Sequence, residues 1–222
     1  SRPEPASFSL LTIAQAAADH HLIAGAFKPL YPGRWISTGV SKGGMASIYH
    51  RRSYPSDVDA TVAYVTPQSL GISDPRYLTF VAEVGDAACR DALKSFQIEA
   101  LTRRPAMLAA LSAQATSRGY TYDILGLDRA FEVSVIELPF VFWQHNDKTR
   151  CSSIPGVASS DAEVWGFLDE IDSPSFFRDA SLLAYEPYFY QAGTELGYPA
   201  YADDYLAPSL MFPGTDVPAT FV

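Results

Sequence analysis

Cysteine is scarce: Cys89 and Cys151 are the two present in 222 residues, which excludes a disulfide framework as the organising principle of the fold. The pair is compatible with one bridge or with two buried thiols. Positive charge is also in short supply. Sixteen Lys and Arg stand against 25 Asp and Glu, a formal charge of −9, which disfavours nucleic acid as a partner because phosphate binding needs clustered cations. The Arg51-Arg52 and Arg103-Arg104 pairs are too short for such a patch and read as solvated helix faces. Long apolar runs are missing too. The most apolar stretch, residues 131–143, carries Glu132 and Glu137 and is too short for a bilayer, so no membrane partner is expected. Ser1-Arg2-Pro3-Glu4-Pro5 lacks the apolar core of a signal peptide, an absence without meaning if the chain starts inside a larger protein. Among four histidines, His20 and His21 are adjacent, but no third ligand has metal-site spacing. They read as one packed and one solvated side chain, and neither a metal nor another cofactor is called for.

What is present is an ordinary globular balance, 48% hydrophobic and 18% charged, in a chain long enough for one or two domains. Thr12 and Gln15 have capping-box spacing at the head of a helix over 13–27, with Ile13, Ala16, Ala17, Ile23, Ala24 and Phe27 on its expected buried face. Pro29, Pro32 and Gly33 stop it. Residues 34–38 read as a strand, 45–52 as a helix and 58–65 as a second strand, an order that makes a piece of parallel βαβ sheet. After about residue 68 the pattern becomes helical, over 86–118 with a break near Pro105, then 131–146, 160–171 and 176–196, with Pro139 and Pro187 as breaks or kinks. The stretch from 199 on, rich in Tyr, Pro and Asp, reads as irregular. The expected architecture is α/β: a partial α/β-hydrolase core over 1–67, a large helical lid over 68–198 and a return segment over 199–222.

Between the first strand and the second helix lies Gly39-Val40-Ser41-Lys42-Gly43-Gly44. The pattern G-x-S-x-G is common by chance, but a strand before it and a helix after it make it a candidate nucleophile elbow. Chemistry explains the composition. The serine sits in a strained turn, and Gly39, Gly43 and Gly44 let neighbouring backbone approach without a Cβ clash. The amides opening the helix favour an oxyanion, with the Lys42 N–H as the first donor. A nucleophilic serine also needs a histidine base and an orienting acid, in this fold in the order Ser, acid, His. Downstream of Ser41 stand His50, along the elbow helix and pointing away, and His145, within the helical region. Asp57 and Asp59 precede the second strand, at the sheet end opposite the elbow. No convincing triad assembles from these residues.

Several of the same segments resemble, in order, the secreted bacterial tripeptidyl aminopeptidases, serine peptidases related to lysosomal Pro-Xaa carboxypeptidase. They are Leu11-Thr12-Ile13-Ala14-Gln15-Ala16-Ala17-Ala18-Asp19-His20-His21, then Trp35-Ile36-Ser37-Thr38-Gly39-Val40-Ser41-Lys42-Gly43-Gly44-Met45, then Tyr49-His50-Arg51-Arg52, then Val58-Asp59-Ala60-Thr61-Val62-Ala63-Tyr64-Val65. The likeness implies a secreted peptidase that takes peptide substrates and removes short peptides, typically tripeptides, from a free N-terminus, with Ser41 as nucleophile. It implies that the family's acid and histidine belong to segments outside these residues, so that the chain is an internal fragment whose partners are the remaining segments of the same enzyme. It also favours a Cys89–Cys151 bridge pinning the lid. In such an exopeptidase a lid carboxylate pairs with the substrate's ammonium. Glu195 is the first candidate, with Glu132 and Glu137 behind it, and Tyr190 and Gln191 as pocket-lining residues; Tyr185, Tyr188 and Phe189 are expected in the lid core. Two other functions stay open: an esterase of the same fold, and an inactive interaction domain that kept the elbow.

Overall fold

The computed structural model describes residues 7–222, so the opening Ser1-Arg2-Pro3-Glu4-Pro5 run lies outside the described residues. Helix α1 (Ile13–Phe27) starts where extended Thr12 accepts the Gln15 amide on its hydroxyl at 3.0 Å. The reciprocal half of the expected capping box is absent, because the Gln15 side chain donates to Asp19 Oδ1 at 2.7 Å instead. The expected buried face is also only partly buried: Ala17 and Ala24 are, whereas Ile23 is 55% exposed and Phe27 is exposed with it. The next helix packs against α1 on its alanine side, and among the described residues nothing covers the other.

Strand β1 (Ile36–Val40), helix α2 (Lys42–Ser53) and strand β2 (Ala60–Tyr64) follow, with β1 and β2 parallel in a register that sets Ile36 beside Ala60 and Val40 beside Tyr64. Helix α2 packs on both strands and on α1. Residues before β2 tie the far end of this unit. Asp57 accepts from His21 Nδ1 at 2.7 Å and His50 Nε2 at 2.8 Å, and the Asp59 carboxylate accepts the Trp35 amide at 2.8 Å. Burial pushes the Asp57 carboxyl up, but the two histidines outweigh it and hold it below its ordinary value. His20 and His21 are both exposed, rather than one packed: His21 stacks on Tyr54 and His20 meets the ring of His50 edge-on.

The rest is helical: α3 (Arg76–Glu83), α4 (Ala87–Thr102), α5 (Arg104–Arg118), α6 (Leu127–His145), α7 (Asp161–Ile171) and α8 (Asp179–Gln191). The expected break near Pro105 falls between α4 and α5, and Pro105 occupies the first turn of α5, where a missing N–H leaves no bond unmade. Helix α6 is central and packed by α3, α4, α5 and α7, with Phe131, Val133, Val135, Leu138 and Phe142 fully buried. Pro139 does not break it. Proline removes the bond to the carbonyl four residues back, and the buried Gln97 side chain of α4 replaces that bond by donating to the Val135 carbonyl at 2.6 Å. Helix α8 likewise runs through Pro187. Cys89, in the first turn of α4, and Cys151, beyond α6, are bonded. Among the described residues no helix is long and apolar enough to cross a membrane.

A seam joins the two parts of the chain. Asp74 is fully buried; its carboxylate takes the Arg76 guanidinium and the Leu70 and Arg76 amides. That ion pair holds the Asp74 carboxyl far below its ordinary value. The Asp74 backbone bridges to the chain around Pro199, donating to the Tyr198 carbonyl at 2.9 Å and accepting from the Ala200 amide at 3.2 Å. Beyond it, the stretch expected to be irregular forms tight helical turns at Asp204–Ser209 and Pro218–Phe221, which seat Leu206 and Phe221 in the helical core.

Candidate active site

Ser41 occupies the single residue between β1 and α2, at φ 54 and ψ −123. For a residue with a Cβ this is a strained conformation, costing roughly 1–3 kcal/mol and held by what surrounds it. What surrounds it is visible. The Ser41 amide donates to the Tyr64 carbonyl at 3.0 Å, extending the parallel ladder one residue past β1. The Ser41 carbonyl accepts from the Gly44 and Met45 amides, which begins α2 and leaves the Lys42 and Gly43 amides unused within the helix. The glycines divide the work unequally. A Cβ on Gly39 would lie 2.2 Å from the Gly43 carbonyl oxygen, and one on Gly44 would lie 1.9 Å from Thr66 Oγ1. A Cβ on Gly43 would meet nothing within 4 Å, so Gly43 is not needed for room.

Ser41 is exposed and lines a cleft of about 730 Å³ between the elbow and the helices. Met45, Val65 and Thr66 belong to the elbow side; Tyr185, Tyr188, Phe189, Tyr198 and Tyr201 form an aromatic wall opposite. Tyr185, Tyr188 and Phe189 therefore border the cleft rather than only filling the helical core. The Lys42 ammonium lies 6.0 Å from the centre of the Tyr188 ring, and burial lowers it from its ordinary value. Burial raises the Tyr198 and Tyr201 hydroxyls well above theirs, with the neighbouring Glu137 adding to it.

The acids distribute differently from the order read in the sequence. Glu195 is not in the cleft wall: its carboxylate accepts the Ile13 amide at 2.7 Å, closing the head of α1 across 182 residues. Glu132 is buried against Arg104 and takes the Met211 and Phe212 amides, which makes it an anchor for the return segment. Glu137 does line the cleft, five residues further along α6. Tyr190 packs on Phe8, and Gln191 is buried outside the cleft lining. Asp172, which closes α7 and lines the cleft beside Glu137, went unnoticed in the sequence, as did Tyr198 and Tyr201. Only the seam that returns the chain past Asp74 brings these tyrosines to α6, and no local pattern signals it.

Ser41 Oγ has no hydrogen-bonded partner among the described residues. The His50–Asp57 pair stands near the far end of α2, about 13 Å along the helix at 1.5 Å per residue. His145 borders the cleft at the end of α6 but pairs with no carboxylate among the described residues.

The sequence profile of the PS-10 peptidase S37 family matches residues 1–222. The chain is 42% identical over 224 residues to the prolyl tri/tetrapeptidyl aminopeptidase of Streptomyces mobaraensis, a match covering 100% of this chain and 47% of that protein. It thus spans about half the length of the relative it matches. No solved structure matches the chain.

Proposed function

The chain belongs to the PS-10 peptidase S37 family, and from that membership we propose that it carries the nucleophile and substrate cleft of a serine exopeptidase. The enzyme releases short peptides, tripeptides foremost, from a free N-terminus through an acyl-enzyme on Ser41. The observation that carries this reading is the strained, exposed Ser41 at a strand-to-helix turn opening into a cleft under helices. Ser41 Oγ attacks the scissile carbonyl, and its proton passes to a histidine base. The Lys42 amide, unused within α2, receives the oxyanion. The prolyl specificity in the relative's name extends here as a preference for proline before the cut bond, whose compact apolar ring suits the Tyr188 and Phe189 walls.

The base and its acid come, in this reading, from other segments of the same enzyme. Two observations support it. The chain spans 47% of its relative, and the apolar residues Ile36, Val40 and Tyr64 of the two-stranded sheet stand exposed, as does Val65 just past it, at 80%. A sheet of two strands is marginal in water and gains from further strands, as in an α/β-hydrolase. We take residues 1–67 as part of that core, 68–198 as its lid and 199–222 as the return, in a secreted enzyme. An esterase of the same fold is the competing chemistry. A peptidyl anilide and an acyl ester of equal size separate the two: the anilide is hydrolysed by the full-length enzyme and not by its Ser41→Ala variant. Hydrolysis of the ester alone would contradict the peptidase reading.

A further inference from the structure

Among the described residues the cleft wall contains two carboxylates, Glu137 and Asp172, and no lysine or arginine. Both residues are more than nine-tenths buried, Glu137 at 7% and Asp172 at 9% exposure. Glu137 Oε1 and Asp172 Oδ2 have no hydrogen-bond partner among the described residues, although the Tyr198 and Tyr201 hydroxyls hydrogen-bond the Glu137 carboxylate. The contrast with Glu132, one and a half turns earlier on α6, is direct, because that acid is fully buried but carries Arg104 and two backbone amides. A buried carboxylate without a cation is costly, and two side by side cost more, since each repels the charge of the other. A helical core does not need this arrangement. A site that receives a cation does.

We propose that Glu137 and Asp172 together form the anchor for the α-ammonium group of the peptide substrate. This deepens the exopeptidase reading and rests on it. The chemistry of the match is specific. A primary ammonium has three N–H donors, and the pair offers unfilled acceptor oxygens on two sides, with Tyr198 and Tyr201 close to Glu137. A peptide bond or an N-acetyl group brings no charge to offset the two carboxylates and would leave them as costly as before. An anchor at a fixed place in a cleft shared with Ser41 also explains how such an enzyme counts residues: the chain length from ammonium to scissile carbonyl is set by the span between anchor and elbow.

The free site holds a proton, and ligand binding must release it. Burial and the neighbouring Asp172 and Asp216 carboxyls push Glu137 well above its ordinary value, and burial pushes Asp172 up to about 8. The groups facing the pair are Asp216 from the C-terminal segment, Tyr198 and Tyr201 from the stretch around Pro199 and Tyr188 from α8, and none of them supplies a cation. When an already protonated ammonium enters at neutral pH, the pair ionises and about one proton leaves to the buffer.

Calorimetry on the full-length protein carrying Ser41→Ala, which cannot turn substrate over, tests this. The probes are Ala-Ala-Pro amide, its N-acetyl form, and N-acetyl-Ala-Lys-Pro amide, which offers a cation elsewhere. The free amine is expected to bind at least tenfold more tightly than either acetylated peptide. Titrations in buffers of different ionisation heat should show about one proton released per peptide bound. Glu137→Gln and, as an independent variant, Asp172→Asn should each erase most of the preference and the proton release. Equal binding of free and acetylated peptides would overturn the proposal. So would equal binding of the lysine peptide, or a preference retained by both folded variants. Phosphonylation of Ser41 by a fluorophosphonate involves no ammonium. Failure of that labelling with the amine preference intact would sink the serine-peptidase reading and leave the anchor standing.

Discussion

Replacing Asp172 by Asn should stabilise the protein at neutral pH, and the size of the gain follows from the site. Burial moves the carboxyl from its ordinary 3.8 up to about 8, and Oδ2 has no hydrogen bond for the amide to lose. A carboxyl whose value is raised by folding adds stability below about pH 4 and loses it steadily as pH climbs to about 8, because over that window the folded state keeps a proton that the unfolded state has shed. At about 1.4 kcal/mol per pH unit, the ceiling at pH 7 is about 4 kcal/mol. The site borders an open cleft, whose higher effective dielectric reduces this to roughly 1–3 kcal/mol. Part of the gain comes through Glu137, which sheds a repelling neighbour. Urea unfolding of both proteins, repeated between about pH 5 and about pH 8, measures it. The difference should be small at the acid end and grow to its full size at the alkaline end. A difference that does not change with pH, or an Asn variant less stable at about pH 8, would refute the reasoning.

The elbow glycines give opposite outcomes. Gly39→Ala forces a Cβ into the Gly43 carbonyl and should cost more than about 2 kcal/mol, whereas Gly43→Ala, which meets nothing and improves α2, should be neutral or stabilising by up to about 1 kcal/mol in thermal unfolding. Serine at both Cys89 and Cys151 opens a link across 62 residues and should lower the unfolding free energy by about 4 kcal/mol, read as a fall in the urea midpoint. Glu195→Ala should lower stability by about 1 kcal/mol, through the freed Ile13 amide, while KM for peptides stays within about twofold of the parent. A large rise in KM would return Glu195 to the substrate site.

What could be read from the sequence was local. The elbow is a strand, a turn and a helix within some twenty residues, and glycine spacing marks it without reference to the rest of the chain. Helix starts at Thr12 and near Ser160 are local for the same reason: a side chain reaches an amide three residues on. The role of each acid is not local. Glu132, Glu137 and Glu195 look alike in sequence, and what separates them is Arg104, the cleft and the Ile13 amide, 28 to 182 residues away. Pro139 reads as a break because a helix interior loses a bond there, and it takes Gln97, 38 residues before Val135, to restore it. The hydrophobic face of α1 was legible as a face, but nothing in its period says how much of it the described residues cover.

The claim on which the rest depends is that Ser41 is a nucleophile presented by a strained turn to an open cleft. Incubating the full-length protein with a fluorophosphonate and mapping the adduct by peptide mass spectrometry addresses it directly. The account predicts one adduct, on Ser41, that is lost when the protein is unfolded before labelling. An unlabelled Ser41 in folded, peptide-hydrolysing enzyme, or an adduct on another serine, would contradict it.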